Sequence, residues 1–495
     1  MNRIACFIAL ILVSPCSGAA LAQQVGDSVV VLLETPVKRG KQTLQKLPAG
    51  ERVRVHDVQP EWLWVSVETT GWIAKKNVGT PEQAIEFFSE RIREAPKDAE
   101  AHAARGNAKL AARQFDAAIE DYNAALKADP TNMTALTNRA VAWADKNQVE
   151  RALADADQAL RIDPQSAAAL FLRGTLLAEA GQFNKAAADL SECLRISPDY
   201  AAAYRNRSGL WLEMHEYDRA FADANRATEL NAKNGAAFSN RGAALVGQGK
   251  VDEAFDDFNE AARLDPNDHQ VYIHRANAWC HKGDFQQAIA DLSTAIKLRP
   301  DANTYNLRGH ARAEAGEIDK ALTDYTAALK LDPADVRTLH SRSTAWMYKH
   351  QYAKALDDVN EVLRRDPNDI VARRRRAYIR AAAPDRTLRD GKQAVADAVR
   401  ACELSQWKQA ETISVLAAAY AELGDFPKAV EWESKALTLA EDKHAKAEFT
   451  STLKLYQQRQ PYRLPGDTAA VVPAGAQKPA RATAQQPARP GTRVR

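Results

Sequence analysis

The sequence predicts a mainly α-helical solenoid of antiparallel helix pairs, preceded by a small all-β barrel. Three observations predict it. Alanines recur every 34 residues at Ala118, Ala152, Ala186, Ala220, Ala254 and Ala288, then at Ala321 and Ala355 after a one-residue deletion near Asn303. Prolines keep the same phase at Pro130, Pro164, Pro198, Pro266, Pro300, Pro333 and Pro367, with Ala232 in the one remaining place. Residues 28–78 have a different texture, with short β-branched and aromatic runs broken by turn residues. A 34-residue period holds two helices and two turns, with the proline just past the second helix.

Composition narrows the function classes. The chain has 495 residues, 45% apolar and 26% charged, which excludes both a wholly disordered chain and a polytopic membrane protein. Lys and Arg total 67 against 64 Asp and Glu, so no long-range field steers it onto nucleic acid. The five cysteines are too few for a disulfide scaffold.

The first element, residues 1–22, reads as a signal peptide. Arg3 precedes the apolar run Ile4 to Val13, and small residues end in Ala20-Leu21-Ala22, the pattern cleaved on export. The run is about ten residues, against roughly 20 for a membrane span. Cys6 and Cys16 leave with it, which gives Cys193, Cys280 and Cys402 in the mature chain. The expected location is therefore periplasmic or extracellular, with no transmembrane span after cleavage.

Residues 23–79 read as four or five short strands. Val29 to Leu33, Val53 to Val55, Trp62 to Val67 and Gly71 to Ile73 alternate between turn signals at Pro48-Ala49-Gly50, Gln59-Pro60 and Thr69-Thr70-Gly71. So few residues make a small barrel and little else. Leu47-Pro48-Ala49-Gly50, Trp62-Leu63-Trp64-Val65 and Gly71-Trp72-Ile73 make the unit resemble the bacterial Src homology 3 (SH3)-like family. That resemblance implies contact with a cell-wall peptide or another protein, through Trp62, Trp64 and Trp72 where they do not simply fill the core.

Residues 80–98 are a linker and capping helix: Ala84, Phe88 and Pro96 fit only the second helix of a repeat, and Phe87 stands where the repeats carry Asp. Eight full units follow over 99–368. One shows Arg105-Gly106, Phe115-Asp116-Ala117-Ala118, Tyr122, Ala125-Leu126 and Asp129-Pro130, and Gly106, Gly174, Gly242 and Gly309 mark close helix packing. On these residues the chain resembles a tetratricopeptide repeat protein. The resemblance implies a right-handed superhelix with the first helix of each pair lining a concave groove for peptides or protein segments. Residues 369–460 hold degenerate ninth and tenth repeats and a C-terminal cap, the ninth interrupted around Pro384-Asp385-Arg386.

Arg105, Arg139, Arg173, Arg207, Arg241, Arg275, Arg308 and Arg342 are each followed 16 residues later by an Asp, from Asp121 to Asp358. Residues so spaced about a hairpin turn stand level, and predict a structural Arg–Asp ladder. By phase, the resemblance places Asn107, Asn138, Arg205, Asn206, Asn240, His274, Asn277, Asn303, Asn306, His310, Arg337, His340 and Arg374 on or near the groove. An asparagine row offers both donors and acceptors to a peptide backbone. Arg373 to Arg376, with Arg380 and Tyr378, form a basic run suited to carboxylates.

No phosphate-binding loop, zinc-helix motif, nucleophile elbow or paired C-x-x-C is present, and Cys193 and Cys402 occupy packing positions. Neither metal nor cofactor is expected. From 461 to 495 the pattern gives way to Pro, Ala and Gln with six basic residues against Asp467, a disordered basic tail. The expected function is a non-catalytic protein–protein interaction scaffold of the cell envelope binding a peptide or protein segment. The competing reading is a structural cell-wall protein anchored through the SH3-like unit.

Overall fold

The computed structural model describes residues 28–466, apart from 40, 41, 48, 60, 61, 67–69, 75 and 76. The leader of residues 1–22 lies outside the described residues. The chain divides into two compact units, residues 1–266 and 267–495.

The first unit opens with β1 (Ser28–Val31), β2 (Thr35–Arg39), β3 (Gln42–Leu47), β4 (Arg52–Val58), β5 (Trp62–Ser66), β6 (Thr70–Ala74) and β7 (Val78–Gly79). They form one antiparallel sheet in the order β3-β2-β6-β5-β4-β1-β7 around buried Val29, Val31, Val37, Val53, Leu63, Val65 and Ile73. Seven strands among the described residues replace the four or five expected. The hairpin β2–β3 was hidden because Thr35–Arg39 and Gln42–Leu47 are largely polar, and its buried residues Thr35, Val37 and Leu47 include only two apolar ones. The ladder pairs Trp64 with Trp72 across β5 and β6; their side chains lie outside the described residues. Trp62 is half-buried, with the Lys38 ammonium 5.8 Å from its ring centre.

Helix α1 (Pro81–Glu94) starts from a capping box, with Thr80 accepting from the Gln83 amide and the Gln83 side chain accepting from the Thr80 amide. Its Ala84 and Phe88 are fully buried with Val30 of β1. Five hairpins complete the unit: α2 (Ala99–Ala111) with α3 (Phe115–Ala128), α4 (Met133–Asp145) with α5 (Val149–Ile162), and α6 (Ala167–Glu179) with α7 (Phe183–Ile196). Then come α8 (Ala201–Glu213) with α9 (Tyr217–Leu230) and α10 (Gly235–Gly247) with α11 (Val251–Leu264).

The second unit repeats the plan. It pairs α12 (His269–Lys282) with α13 (Phe285–Leu298), α14 (Ala302–Glu314) with α15 (Ile318–Leu331), and α16 (Val336–Tyr348) with α17 (Tyr352–Arg365). α18 (Ile370–Ala382) pairs with α19 (Gly391–Leu404) and α20 (Ala410–Glu422) with α21 (Phe426–Leu439), and α22 (Lys443–Gln457) closes it.

Each boundary has a local cause. The phased prolines end the second helices, and two residues later a side chain caps the next first helix: Asp98, Asn132, Ser166, Asp268, Asp335 and Asp369 each accept from an amide of its first turn. At Gly106 and Gly309 an added Cβ would sit 2.6 and 2.5 Å from the rings of Tyr122 and Tyr325, so only glycine lets the partner helix's aromatic ring lie against the backbone.

The Arg–Asp ladder is present, and each guanidinium does two things. Its Nε and Nη2 form a fork on the Asp of the same repeat, as in Arg105–Asp121 at 2.9 and 2.6 Å or Arg308–Asp324 at 2.9 and 2.7 Å. Its Nη1 reaches the preceding second helix: Arg105 to Ser89, Arg139 to Asn123, Arg207 to Ser191, Arg308 to Ser293 and Arg342 to Thr326. The ladder therefore fixes each hairpin internally and registers it on its neighbour. In the ninth repeat the insertion stretches the spacing to 21 residues, yet Arg376 still forks onto Asp397 at 2.7 and 2.6 Å.

Candidate peptide-binding site

Within each unit the first helices of successive hairpins approach one another, as α4 does α6 and α18 does α20, which makes the first-helix side the inner face. Most of the asparagines placed there by phase do not present free amides. Asn107 is 8% exposed: its Nδ2 donates to the Gly50 carbonyl at 3.1 Å, and its Oδ1 accepts from Tyr122 and from Asn138. Asn206 Nδ2 donates to Thr175 Oγ1, Asn240 Nδ2 to Ser208 Oγ and the Arg205 carbonyl, and Asn306 Nδ2 to Thr338 Oγ1. The bonds of Asn138, Asn206, Asn240 and Asn306 staple neighbouring first helices together. A short amide close to an adjacent helix gains more from a fixed internal partner than from water.

The other residues are dispersed. Asn277 is exposed on α12, and His274 and Asn303 are half-buried on α12 and α14. His310 faces Ser341 Oγ at 3.0 Å, His340 Nε2 meets Asp369 Oδ2 at 3.0 Å, and Arg337 lies 3.5 Å from Asp335. Of the thirteen, Arg374 lines the main cavity.

That cavity, about 760 Å³, lies in the second unit among α16, α18, α20, α22 and residues 462–465. Its apolar wall includes Met347, Val371, Val415, Ala418 and Phe449. Its cationic wall is the middle of the arginine run. Arg373 and Arg376 share Asp397, which is fully buried. Arg374 and Arg375 instead line the cavity, and among the described residues neither has a carboxylate within 4.0 Å. Arg375 Nη1 donates to the His340 carbonyl at 3.0 Å and Ser343 Oγ at 3.1 Å. Burial, with Arg374 beside it, brings the Arg375 guanidinium down to about 10.

Glu411 on α20 and Glu448 on α22, both exposed, also line the cavity, with Ser414 and Tyr456. Glu433 of α21 is fully buried; Ser414 Oγ donates to its Oε1 at 3.1 Å, and among the described residues its Oε2 and the Tyr456 hydroxyl have no partner. Burial raises the Glu433 carboxyl to about 8, so it is protonated at neutral pH. Phase reading could have found it: Glu433 occupies the place of Tyr122, Phe258 and Tyr325 in other repeats.

The start of the tail departs from expectation. Residues 461–466 are not free: Tyr462 stacks on Tyr378 with ring centres 6.2 Å apart, and the Leu464 amide donates to the Ala382 carbonyl at 2.8 Å. Tyr352 donates to the Pro465 carbonyl at 2.9 Å, and Arg463 meets Glu422 at 2.5 Å. The apolar and aromatic residues in Pro461-Tyr462-Arg463-Leu464-Pro465 seat it in the core formed by Ile379, Ala382 and Tyr456. Residues 467–495 lie outside the described residues.

Burial raises the thiols of Cys193 and Cys280 to about 11 and that of Cys402 to about 12, so none is poised as a nucleophile. Among the described residues no group of three or more His, Cys, Asp or Glu is placed to hold a metal ion, and no helix is long and apolar enough to cross a membrane.

Comparison with known proteins agrees with the hairpin geometry. Models of the tetratricopeptide repeat match residues 103–167, 139–210, and 235–268 with 302–335. The chain carries tetratricopeptide repeats. Sperm-associated antigen 1 of Rattus norvegicus is 31% identical over 75 residues and that of Mus musculus 33% over 75. Each match covers 15% of this chain and 8% of the relative. A solved tetratricopeptide repeat protein from Parabacteroides merdae is 23% identical with a TM-score of 0.43, covering 53% of this chain and 99% of that one. YrrB, described as a TPR protein with an unusual peptide-binding site, is 24% identical with a TM-score of 0.32, covering 39% of this chain and 99% of its own.

Proposed function

We propose that the protein is a non-catalytic interaction scaffold that holds an extended segment of a partner protein in the cavity of its second unit. The observation that carries this reading is the cavity's own rim. Residues 462–465 already lie there, held through main-chain groups and a Tyr–Tyr stack, which is how a foreign peptide would be gripped. The cavity is within the size range of ligand pockets and largely apolar, with charged residues in its lining. Val371→Trp, at an exposed lining position, fills the cavity without touching the ladder. It is expected to weaken binding of the partner segment by tenfold or more in a fluorescence-anisotropy titration; unchanged affinity contradicts the site.

Envelope placement is part of the proposal and rests on the pattern of Arg3, the apolar run and Ala20-Leu21-Ala22. Mass spectrometry of protein isolated from its host is expected to find Gln23 as the first residue; an intact Met1 terminus rejects it. The SH3-like reading of the sheet, with Trp62, Trp64 and Trp72 as contacts to a cell-wall peptide or protein, belongs to the same proposal.

A further inference from the structure

The geometry points to an amphoteric segment as the occupant of the second-unit cavity: an acidic side chain docked on Arg374 and Arg375, an apolar residue in the middle, and a basic side chain toward Glu411 and Glu448. This deepens the peptide-binding reading and rests on it.

The argument starts from how fully the other charges are used. Every ladder arginine forks onto its own Asp, and the two outer members of the run on α18 share Asp397. The carboxylates nearest to Arg375 are engaged elsewhere, Asp358 with the Arg342 fork and Asp369 with His340. Arg375 is half-buried and spends one nitrogen on a carbonyl and a hydroxyl, and among the described residues no carboxylate lies within 4.0 Å of it. A half-buried guanidinium has already lost part of its hydration, so an arriving carboxylate gains a charge-assisted hydrogen bond at reduced desolvation cost. Arg374 adds a second cation to the same wall.

The lining from α20 and α22 carries the opposite sign. Glu411 and Glu448 are exposed and line the cavity, so a wholly acidic peptide is repelled there and a basic residue is favoured. The same lining includes Val371, Val415, Ala418 and Phe449, which accept a hydrophobic side chain. Charges of opposite sign on different helices distinguish the ends of a bound segment, which a uniformly apolar groove cannot do.

The test is selection from a random nonapeptide library displayed on phage, using the full chain and three variants: Arg374→Gln, Arg374→Gln with Arg375→Gln, and Glu411→Gln with Glu448→Gln. Circular dichroism confirms that each is folded, and Arg374→Gln, which leaves half-buried Arg375 in place, serves if the double arginine variant does not fold. Peptides selected on the unaltered chain are expected to pair Asp or Glu with Lys or Arg across an apolar residue. Their affinity is expected to fall roughly tenfold or more on Arg374→Gln, and the basic preference to vanish on the glutamate variant. Selected peptides without acidic residues, or an acidic preference that survives the arginine variants, overturn the inference while leaving peptide binding intact. Failure to select any peptide overturns the peptide-binding reading itself.

Discussion

Asp324→Ala is expected to cost about 3 to 5 kcal/mol of stability. Asp324 is 1% exposed and accepts from both Arg308, through the fork at 2.9 and 2.7 Å, and Arg312 at 2.8 Å. Its removal strands two guanidiniums in a partly buried site and also loosens the bond from Arg308 to Ser293 on the preceding second helix. Because a repeat array is stabilised by its nearest-neighbour contacts, the damage is expected to centre on α14–α16. Hydrogen exchange checks this by faster exchange of those helices at unchanged rates in α2–α5. Asp319→Ala, which removes an exposed partner of Lys349 at 3.0 Å, is the control and is expected to cost less than about 1 kcal/mol. Equal costs for the two would show that the ladder is ornamental.

Glu433→Gln is expected to stabilise the protein by about 3 kcal/mol at pH 7 and to have almost no effect at pH 4.5. The sign follows from the raised carboxyl. Folded, Glu433 holds its proton to about pH 8; unfolded, it releases it near its ordinary 4.5. Between those values the unfolded chain binds fewer protons, so stability is fully present below about 4.5 and drains away as pH rises toward 8. Glutamine keeps the shape and a hydrogen-bond acceptor for Ser414 without the ionisation. The difference between wild type and variant, measured by urea titration at several pH values, isolates this group from Glu179, which burial also raises, to about 7. A pH-independent difference would place the Glu433 carboxyl in contact with water.

Much of the architecture was legible because it repeats. Ala118 and its equivalents repeat over eight copies and the phased prolines over seven of them, and the 16-residue Arg–Asp interval specified a level pair before any coordinates. What the sequence did not show was the asparagines' internal partners. Their phase put Asn206 and Asn240 on the first helices correctly, but phase carries no information about neighbours. Thr175 and Ser208, lying 31 and 32 residues earlier, were already positioned to take their protons. Charge runs were equally ambiguous. Four consecutive arginines look alike on paper, and only the stretched ninth repeat, which aims Asp397 at Arg373 and Arg376, leaves Arg374 and Arg375 to the cavity. The cavity itself draws on residues from Thr344 to Pro465 and on α22, which stands outside the 34-residue period, so no repeat pattern announces it. The polar hairpin β2–β3 was missed for a related reason: of its buried residues Thr35, Val37 and Leu47 only two are apolar, too few to show alternation.

The most direct measurement is site-specific photo-crosslinking in the native host, with a benzophenone amino acid placed at Thr344 or Val371, which line the cavity, and at exposed Lys392 on α19. The cavity positions are predicted to yield one discrete adduct each with the same partner protein, mapping to one short extended segment of it, while Lys392 yields none. Adducts at Lys392 with none at Thr344 or Val371 would contradict the claim that the inner cavity of the second unit is where this scaffold holds its partner.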